Sequence, residues 1–370
     1  MRRIVLLGAL ALITVQLGLV ATESTSQAAT PSKASANYSL DTTEPTTLGG
    51  YFPLPKRPPS EHVCFEENGN SLQEEFQQGV TAAAAALGWQ LTIITINQAV
   101  PSSYGTGITS SEQANCNAVI VVASNYSNYS PQIASAVADH MVIEDTDSDN
   151  NVPQGVITSL RTSLVQSRVG QAEGRSAGTD AEKRYHGKAT VLTSETPQFI
   201  DISQPLVAGQ RMGLEQTCPT CKLDVISVDL SVTLGPDPSG PFVTAVQTDP
   251  SIKYVLAVSS SPLPSAFTQA GLSVPRFYGA DPGLNFLQNL ETSNPDTYAW
   301  ADQPSIVFGW YMIDSLARSF DHMKVTNPWN TAATSPPVWV IDHANVKSFL
   351  AQNQNFPKNY QALFKKMWRI

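Results

Sequence analysis

From residue 62 the chain alternates short, continuous apolar runs with longer segments of helical period. "HVCFEE" (62–67) is followed by "SLQEEFQQGVTAAAAALG" (71–88), where Leu72, Phe76, Val80, Ala83, Ala84 and Leu87 recur at helical spacing and Gly88 supplies the stop. "WQLTIITI" (89–96) and "NAVIVVAS" (117–124) read as strands, "SPQIASAVADH" (130–140) as a helix, and "HMVIED" (140–145) and "QGVITSL" (154–160) as further strands. The polar stretch 170–188 reads as a helix ending at Gly187, after which the pattern restarts. Its second series runs "KATVLTS" (188–194), a helix near 204–217, "LDVISVDL" (223–230), "FVTAVQTDP" (242–250), "YVLAVSS" (254–260), "SAFTQAG" (265–271) and "VPRFYGAD" (274–281). Continuous apolar strands suit parallel sheets covered on both faces. Two such series in tandem predict the α/β class, with two doubly wound parallel-sheet lobes joined by a hinge. In that architecture ligands sit at the carboxyl ends of the strands, in the cleft between lobes.

The opening "MRRIVLLGALALITVQLGLVATESTSQAA" has two arginines, an uncharged run from Ile4 to Ala21, then small residues that offer Ser26-x-Ala28 or Gln27-x-Ala29 as cleavage sites. Residues 1–29 thus read as an export signal peptide, with an uncleaved N-terminal anchor as the open alternative, and place the protein in the periplasm or outside the cell. No cysteine near the end of this run could carry a lipid. Residues 30–59 are rich in Ser, Thr, Ala, Pro and Gly without apolar period and read as a flexible linker. The remainder is long enough for two lobes, drawn as 60–165 with about 300–328, and 166–299 with about 329–370. A net charge of −9 disfavours nucleic acid as a partner.

Several blocks, in order, carry a resemblance to a known family. "EFQQGVTAAAAALGWQLTII", "ANCNAVIVVAS", "TDPSIKYVLAVSSSPLPSAFTQAGLSVPRFYGADPG", "YAWADQPSIVFGWYMIDSLARSF" and "PPVWVIDHANV" resemble, over about residues 60–350, the ribose-binding-like group of type I periplasmic binding proteins, the substrate-binding proteins of ABC sugar transporters. The resemblance implies two Rossmann-like lobes that close on a small polar ligand, a sugar, and pass it to a membrane permease. It places Asp281 at the family's aspartate after a strand-end glycine, and residues near 300 in the crossover back to the first lobe. Three features depart from the family pattern: 97–115 is poorer in helix signals, the loop "ENGNSLQEEF" lacks the aromatic pair, and "SETPQFIDISQP" lacks the sugar-contacting arginine.

Four cysteines in an exported chain read first as two disulfides. Cys218 and Cys221 lie between a helix and the strand "LDVISVDL", where a local bridge would staple the turn. A zinc site would need further ligands, and His62, His140, His186, His322 and His343 are scattered; a thioredoxin-like dithiol would open a helix instead. Cys64 and Cys116 belong to strands that are neighbours in the 2-1-3 order of such sheets, so they can pair, with two buried free thiols as the alternative.

The ligand-binding candidates are side chains at strand carboxyl ends, able to hydrogen-bond hydroxyls. After the first strand stand Glu66, Asn68 and Asn70, whose competing role is an Asx turn with a helix cap at Asn70 or Ser71. Ser124 and Asn125 end the third strand and equally suit a turn; Asp145, Ser259, Ser260 and Asp281 end later strands. Trp300 is either an aromatic face for the ligand or core, while Trp310 and Tyr311 read as core. "EDTDSDNN" (144–151) spaces Asp145, Asp147 and Asp149 like calcium ligands but lacks the sixth-position glycine and twelfth-position glutamate; a solvated acidic loop or ligand contact fits better. The sequons at Asn37, Asn125 and Asn128 would count only in a eukaryotic secretory pathway.

The chain carries no G-x-S-x-G, P-loop, H-E-x-x-H or G-x-G-x-x-G motif, so no catalytic residue, metal or cofactor is expected. The expected function is that of a monomeric, non-enzymatic solute-binding protein of an ABC-type uptake system. The alternative is a ligand-binding sensor module that contacts a membrane signalling partner.

Overall fold

The computed structural model describes residues 42–370 apart from 49–51, 70, 99, 123, 147–151, 160–161, 234–235, 259–262, 283, 293–296, 303, 324–337 and 354. The first series comprises β1 (His62–Glu67), α1 (Ser71–Leu87), β2 (Gln90–Thr95), α2 (Ser102–Gln113), β3 (Ala118–Val122), α3 (Ser130–Ala138), β4 (Val142–Thr146) and β5 (Val156–Ile157). Its strands pair in parallel in the order β2-β1-β3-β4-β5. The long helix α4 (Thr162–Tyr185) leads into the second series: β6 (Thr190–Glu195), α5 (Ile200–Thr217), β7 (Lys222–Ser227), α6 (Leu230–Thr233), α7 (Gly240–Thr248), β8 (Ile252–Val258), α8 (Pro264–Gln269), β9 (Arg276–Ala280), α9 (Leu284–Glu291) and β10 (Thr297–Asp302). Then follow α10 (Ser305–Phe320), β11 (Trp339–Asp342), α11 (Val346–Ala351) and α12 (Tyr360–Trp368). The second sheet reads β7-β6-β8-β9-β10-β11, parallel except for the antiparallel last pair. Both sheets therefore repeat one order, first strand second from the edge, which is the doubly wound α/β class expected from the pattern.

The apolar stripe of α1 packs as its spacing requires: Phe76, Val80, Ala83, Ala84 and Leu87 are buried, and β3 is buried throughout. One apolar cluster continues from beneath α1 and α10 to the α4–α5 face of the second sheet; a second fills that sheet's other face, and a third lies under α2 and α3. The helix α2 arises in the Ser/Thr-rich segment that lacks helix signals. There Thr106, Thr109, Ser110 and Ser111 turn their hydroxyls back to the carbonyls four residues earlier, so polar side chains are satisfied within the helix itself.

Two helix pairs approach to backbone contact. On α4 an added Cβ at Gly174 would lie 2.1 Å from the Gln210 carbonyl oxygen of α5, and one at Gly213 would lie 2.2 Å from that of Gln171. Gly79 of α1 and Gly309 of α10 meet in the same way. Small residues at four-residue spacing let such helices close on each other.

Three sequence expectations change here. Residues 300–302 belong to β10 in the second sheet, so the return toward the first sheet starts at α10, which packs on α1. The terminal helix α12 rejoins α10, with Trp310 and Trp368 stacked at 5.3 Å, so the C-terminal residues do not all stay with the second sheet. Within 30–59, the described residues 42–48 and 52–59 are docked, because Leu48 and Leu54 are buried and side chains of the body donate to the segment's carbonyls. A tether free in solvent would leave those leucines in water.

Cys64 pairs with Cys116, and Cys218 with Cys221. His62, Cys64 and Cys116 stand together, but bridged sulfurs are not the thiolates that a metal would need. Among the described residues no helix is long and apolar enough to cross a membrane; the run Ile4 to Ala21 lies outside them.

Overpacking at the helix contact predicts that Gly174→Ala lowers stability by about 1–3 kcal/mol, read from the denaturant midpoint. Loss of the cross-link between β1 and β3 in Cys64→Ser/Cys116→Ser is expected to cost about 4 kcal/mol in the same measurement.

Candidate functional site at the strand carboxyl ends

The crossover after β5 and the one after β10 both leave from strand carboxyl ends: four residues separate β5 from α4, and two separate β10 from α10. Both of these connections between the sheets thus start at a carboxyl edge. The edges are also chemically alike. Glu66 and Glu67 close β1 and Glu195 closes its counterpart β6, while Asp145 near the end of β4 corresponds to Asp281 just past β9. Lys188, Lys222, Lys253 and Arg276 stand instead at the starts of β6, β7, β8 and β9. The sequences that follow β1, β3, β4, β6, β8 and β9 up to the next helix or strand contain neither lysine nor arginine.

On the first sheet, Phe65 registers with Ile120 and Val121 with Asp145, so Glu66 and Asp145 fall on one row with β3 between them, their backbones about 10 Å apart. Both face the α2–α3 side, together with Cys64, Val121 and Ile143. Glu66 is fully buried against Gly107 of α2, and among the described residues neither of its carboxyl oxygens has a hydrogen-bond partner. Burial pushes its pKa up to about 9, so the carboxyl is neutral at neutral pH. Asp145, also buried, accepts a hydrogen bond from the Tyr129 hydroxyl. Burial raises the pKa of Tyr129, with Asp145 adding to it, and burial likewise raises that of Tyr104, with Glu66 and then Asp145 contributing. Two tyrosines thus lie among two carboxyls on one wall.

Glu144 points to the opposite face of β4, where its carboxylate accepts from Thr146 and from the Ser159 backbone amide. Strand alternation therefore places Glu144 and Asp145 on opposite faces of the sheet. Asp147 and Asp149 lie outside the described residues.

The other candidates divide. Asn125 accepts from the backbone and hydroxyl of Ser127 and so takes the turn role. Ser124, nearly buried, accepts from the Asn128 amide at 3.3 Å. The Asn68 backbone amide donates to Gln73, and Gln73 in turn donates to the Val122 carbonyl, which ties the β1–α1 loop to the end of β3. Asn70, Ser259 and Ser260 lie outside the described residues. Trp300 is not a ligand platform: it is fully buried, 4.6 Å from Phe286 between ring centroids and packed against Gly279 in the apolar cluster of the second sheet.

Asp281 is half-buried and holds a left-handed backbone, φ 47°, with its amide donating to the Ala301 carbonyl. Behind it Glu173 of α4 is wholly buried and accepts from Gln210 at 2.8 Å. Burial raises the Glu173 pKa well above the usual carboxylate range, Gln210 opposes the rise, and Asp281 adds to it. Sequence reading passed over Glu173, Gln210, Tyr104, Tyr129 and Gln73. The glycines at four-residue spacing around Glu173 were the available signal, since they mark a face pressed against another helix.

The Glu66 shift has a definite sign. A carboxyl whose folded pKa lies above its unfolded one, 4.5, contributes stability that is whole below that value and is lost as pH rises through about 9. Glu66→Gln is therefore expected to flatten the decline in denaturant midpoint between about pH 5 and about pH 9 relative to the parent chain.

No protein-family model matches the chain, and no curated protein matches it significantly. Solved structures do. A glucose-galactose binding protein from Geobacillus stearothermophilus superposes with a TM-score of 0.61 at 16% identity, covering 78% of this chain and 99% of that one. A 5-methylthioribose transporter solute binding protein from Thermotoga lettingae, in complex with 5-methylthioribose, gives 0.62 at 17% over 86% and 99%. A carbohydrate transporter from Acidothermus cellulolyticus, in complex with myo-inositol, gives 0.58 at 18% over 80% and 99%. These similarities, with the repeated strand order of the two sheets, establish the fold as that of the type I periplasmic binding proteins.

Proposed function

We propose that the chain is an exported solute-binding protein, one lobe built on each sheet, that closes on a small polar ligand of the sugar class and serves an ABC-type uptake system. The observation that carries this reading is the matched pair of carboxylate-bearing strand ends, Asp145 near the end of β4 and Asp281 just past β9, on equivalent strands of the two sheets. Carboxylates there accept hydrogen bonds from ligand hydroxyls, and a ligand touching both walls favours the closed arrangement over the open one. Glu66, Asn68, Ser124 and Asp145 would belong to one wall and Asp281 to the other. The ligands named for the similar structures, a methylthioribose and an inositol, are polyhydroxylated and support this class. The sequences after β1, β3, β4, β6, β8 and β9 carry no lysine or arginine, with Arg161 after β5 as the exception, and this balance of charge favours uncharged sugars over sugar phosphates and sugar acids.

The test is a thermal-shift screen against pentoses, hexoses, polyols, nucleosides and sugar phosphates. A ligand at a hundred times its dissociation constant adds about 2.7 kcal/mol to stability, and the hit is expected among the uncharged compounds. Asp281→Ala should weaken it about ten- to hundredfold in calorimetry, the loss of hydrogen bonds to a charged acceptor. A screen without hits would retire the sugar reading, and the alternative of a sensor module would then be tested against a membrane partner.

A further inference from the structure

We propose that the described residues 42–48 and 52–59 form a strap across the hinge, docked at one end on the second-sheet lobe and at the other on the first, which limits how far the two lobes separate. At the second-sheet end, Trp339 of β11 donates its indole N–H to the Thr42 carbonyl at 3.0 Å, Asn345 donates to the same oxygen at 3.4 Å, and Gln352 donates to the Glu44 carboxylate at 3.3 Å. Six residues later the segment has changed lobe. Tyr311 of α10 donates to the Leu48 carbonyl at 2.8 Å, Arg318 donates to the Phe52 carbonyl at 2.7 Å, the Leu54 amide donates to the Met367 carbonyl of α12, and Arg369 just past α12 donates to the Leu54 carbonyl. The segment then reaches α1 and β2, where Arg57 donates to the Leu87 carbonyl and Trp89 to that of Pro59.

The arrangement is that of a built contact. Among its described residues the segment has no helix or ladder of its own, so each buried carbonyl needs an outside donor, and two different lobes supply them. Leu48 and Leu54 anchor the first-lobe half by burial. The covalent chain already passes between the layers after β5, β10, α10 and α11; the strap adds a passage that is held without a covalent link to the second lobe. Its reach is short. Six extended residues span at most about 21 Å, so the Thr42 and Leu48 docks cannot part beyond that while both hold.

The test uses the full, ligand-free chain, so it stands apart from the identity of the ligand. Spin labels at Gln113→Cys on α2 and Glu215→Cys on α5, both exposed, report the interlobe distance, since the native cysteines are bridged. Trp339→Phe/Gln352→Ala removes two donors of the second-lobe dock, and Leu48→Ala removes the first-lobe anchor. Each is expected to broaden the distance distribution and shift it to longer values, with circular dichroism unchanged. A distribution as narrow as the parent's in both variants overturns the strap. Independently, Thr42→Cys/Asn345→Cys in the unlabelled chain should form a bridge and slow hydrogen exchange in the crossovers 158–162 and 302–306. Unchanged exchange in the bridged chain also overturns it.

Discussion

Asp314 is a carboxylate with no solvent exposure at the middle of α10, and much of the molecule is arranged to make that burial tolerable. Arg318, one turn on, donates to it at 2.7 Å, and the Trp368 indole of α12 donates to its other oxygen at 2.7 Å. The same Arg318 spends a further N–H on the Phe52 carbonyl. A buried charge that loses its partners costs several kcal/mol, so these contacts stand or fall together. Through them α10, α12 and the N-terminal segment become one unit. Because α10 also meets α1 at paired glycines, that unit is fixed to the first sheet.

From this anchor the geometry of the candidate site follows. The helix α10 starts two residues after β10 leaves the second sheet, so its position determines where that sheet's carboxyl edge stands relative to the first. On the second-sheet side, α4 plays the complementary part: it is pressed to backbone contact against α5 and carries Glu173 to a place behind Asp281. Glycine contacts of this kind tolerate little rearrangement, since any side chain would meet a carbonyl oxygen.

The charge pattern runs along the strand axis. Basic residues gather where strands of the second sheet begin, and carboxyls gather where strands of both sheets end. Glu66 shows what the arrangement costs locally: a carboxyl at the end of β1, covered by α2, without a hydrogen-bond partner among the described residues and therefore held neutral. Its neighbour one row over, Asp145, has a tyrosine hydroxyl instead. The two differ because the Tyr129 hydroxyl, just before α3, donates to Asp145.

The sequence by itself determined the class of fold. Continuous apolar strands such as Ala118–Val122 and the periodic stripe of α1 can be buried in few ways, and local pattern is enough to show them. The cysteine pairs were likewise legible, because strand order places Cys64 beside Cys116 and the C-x-x-C spacing spans a single turn. Contacts between distant parts of the chain were not. Residues 42–59 look like a linker because nothing within them asks for burial; the described 42–48 and 52–59 are ordered by donors from residues about 300 positions away. From sequence Trp300 could be a ligand platform or core, and packing against Gly279 and Phe286 places it in the core. The helix α2 hides in a Ser/Thr-rich stretch since its stability rests on packing over Glu66 and Tyr129 rather than on helix formers. Side-chain environment is a property of neighbours brought together by folding, and only the tertiary structure decides who those neighbours are.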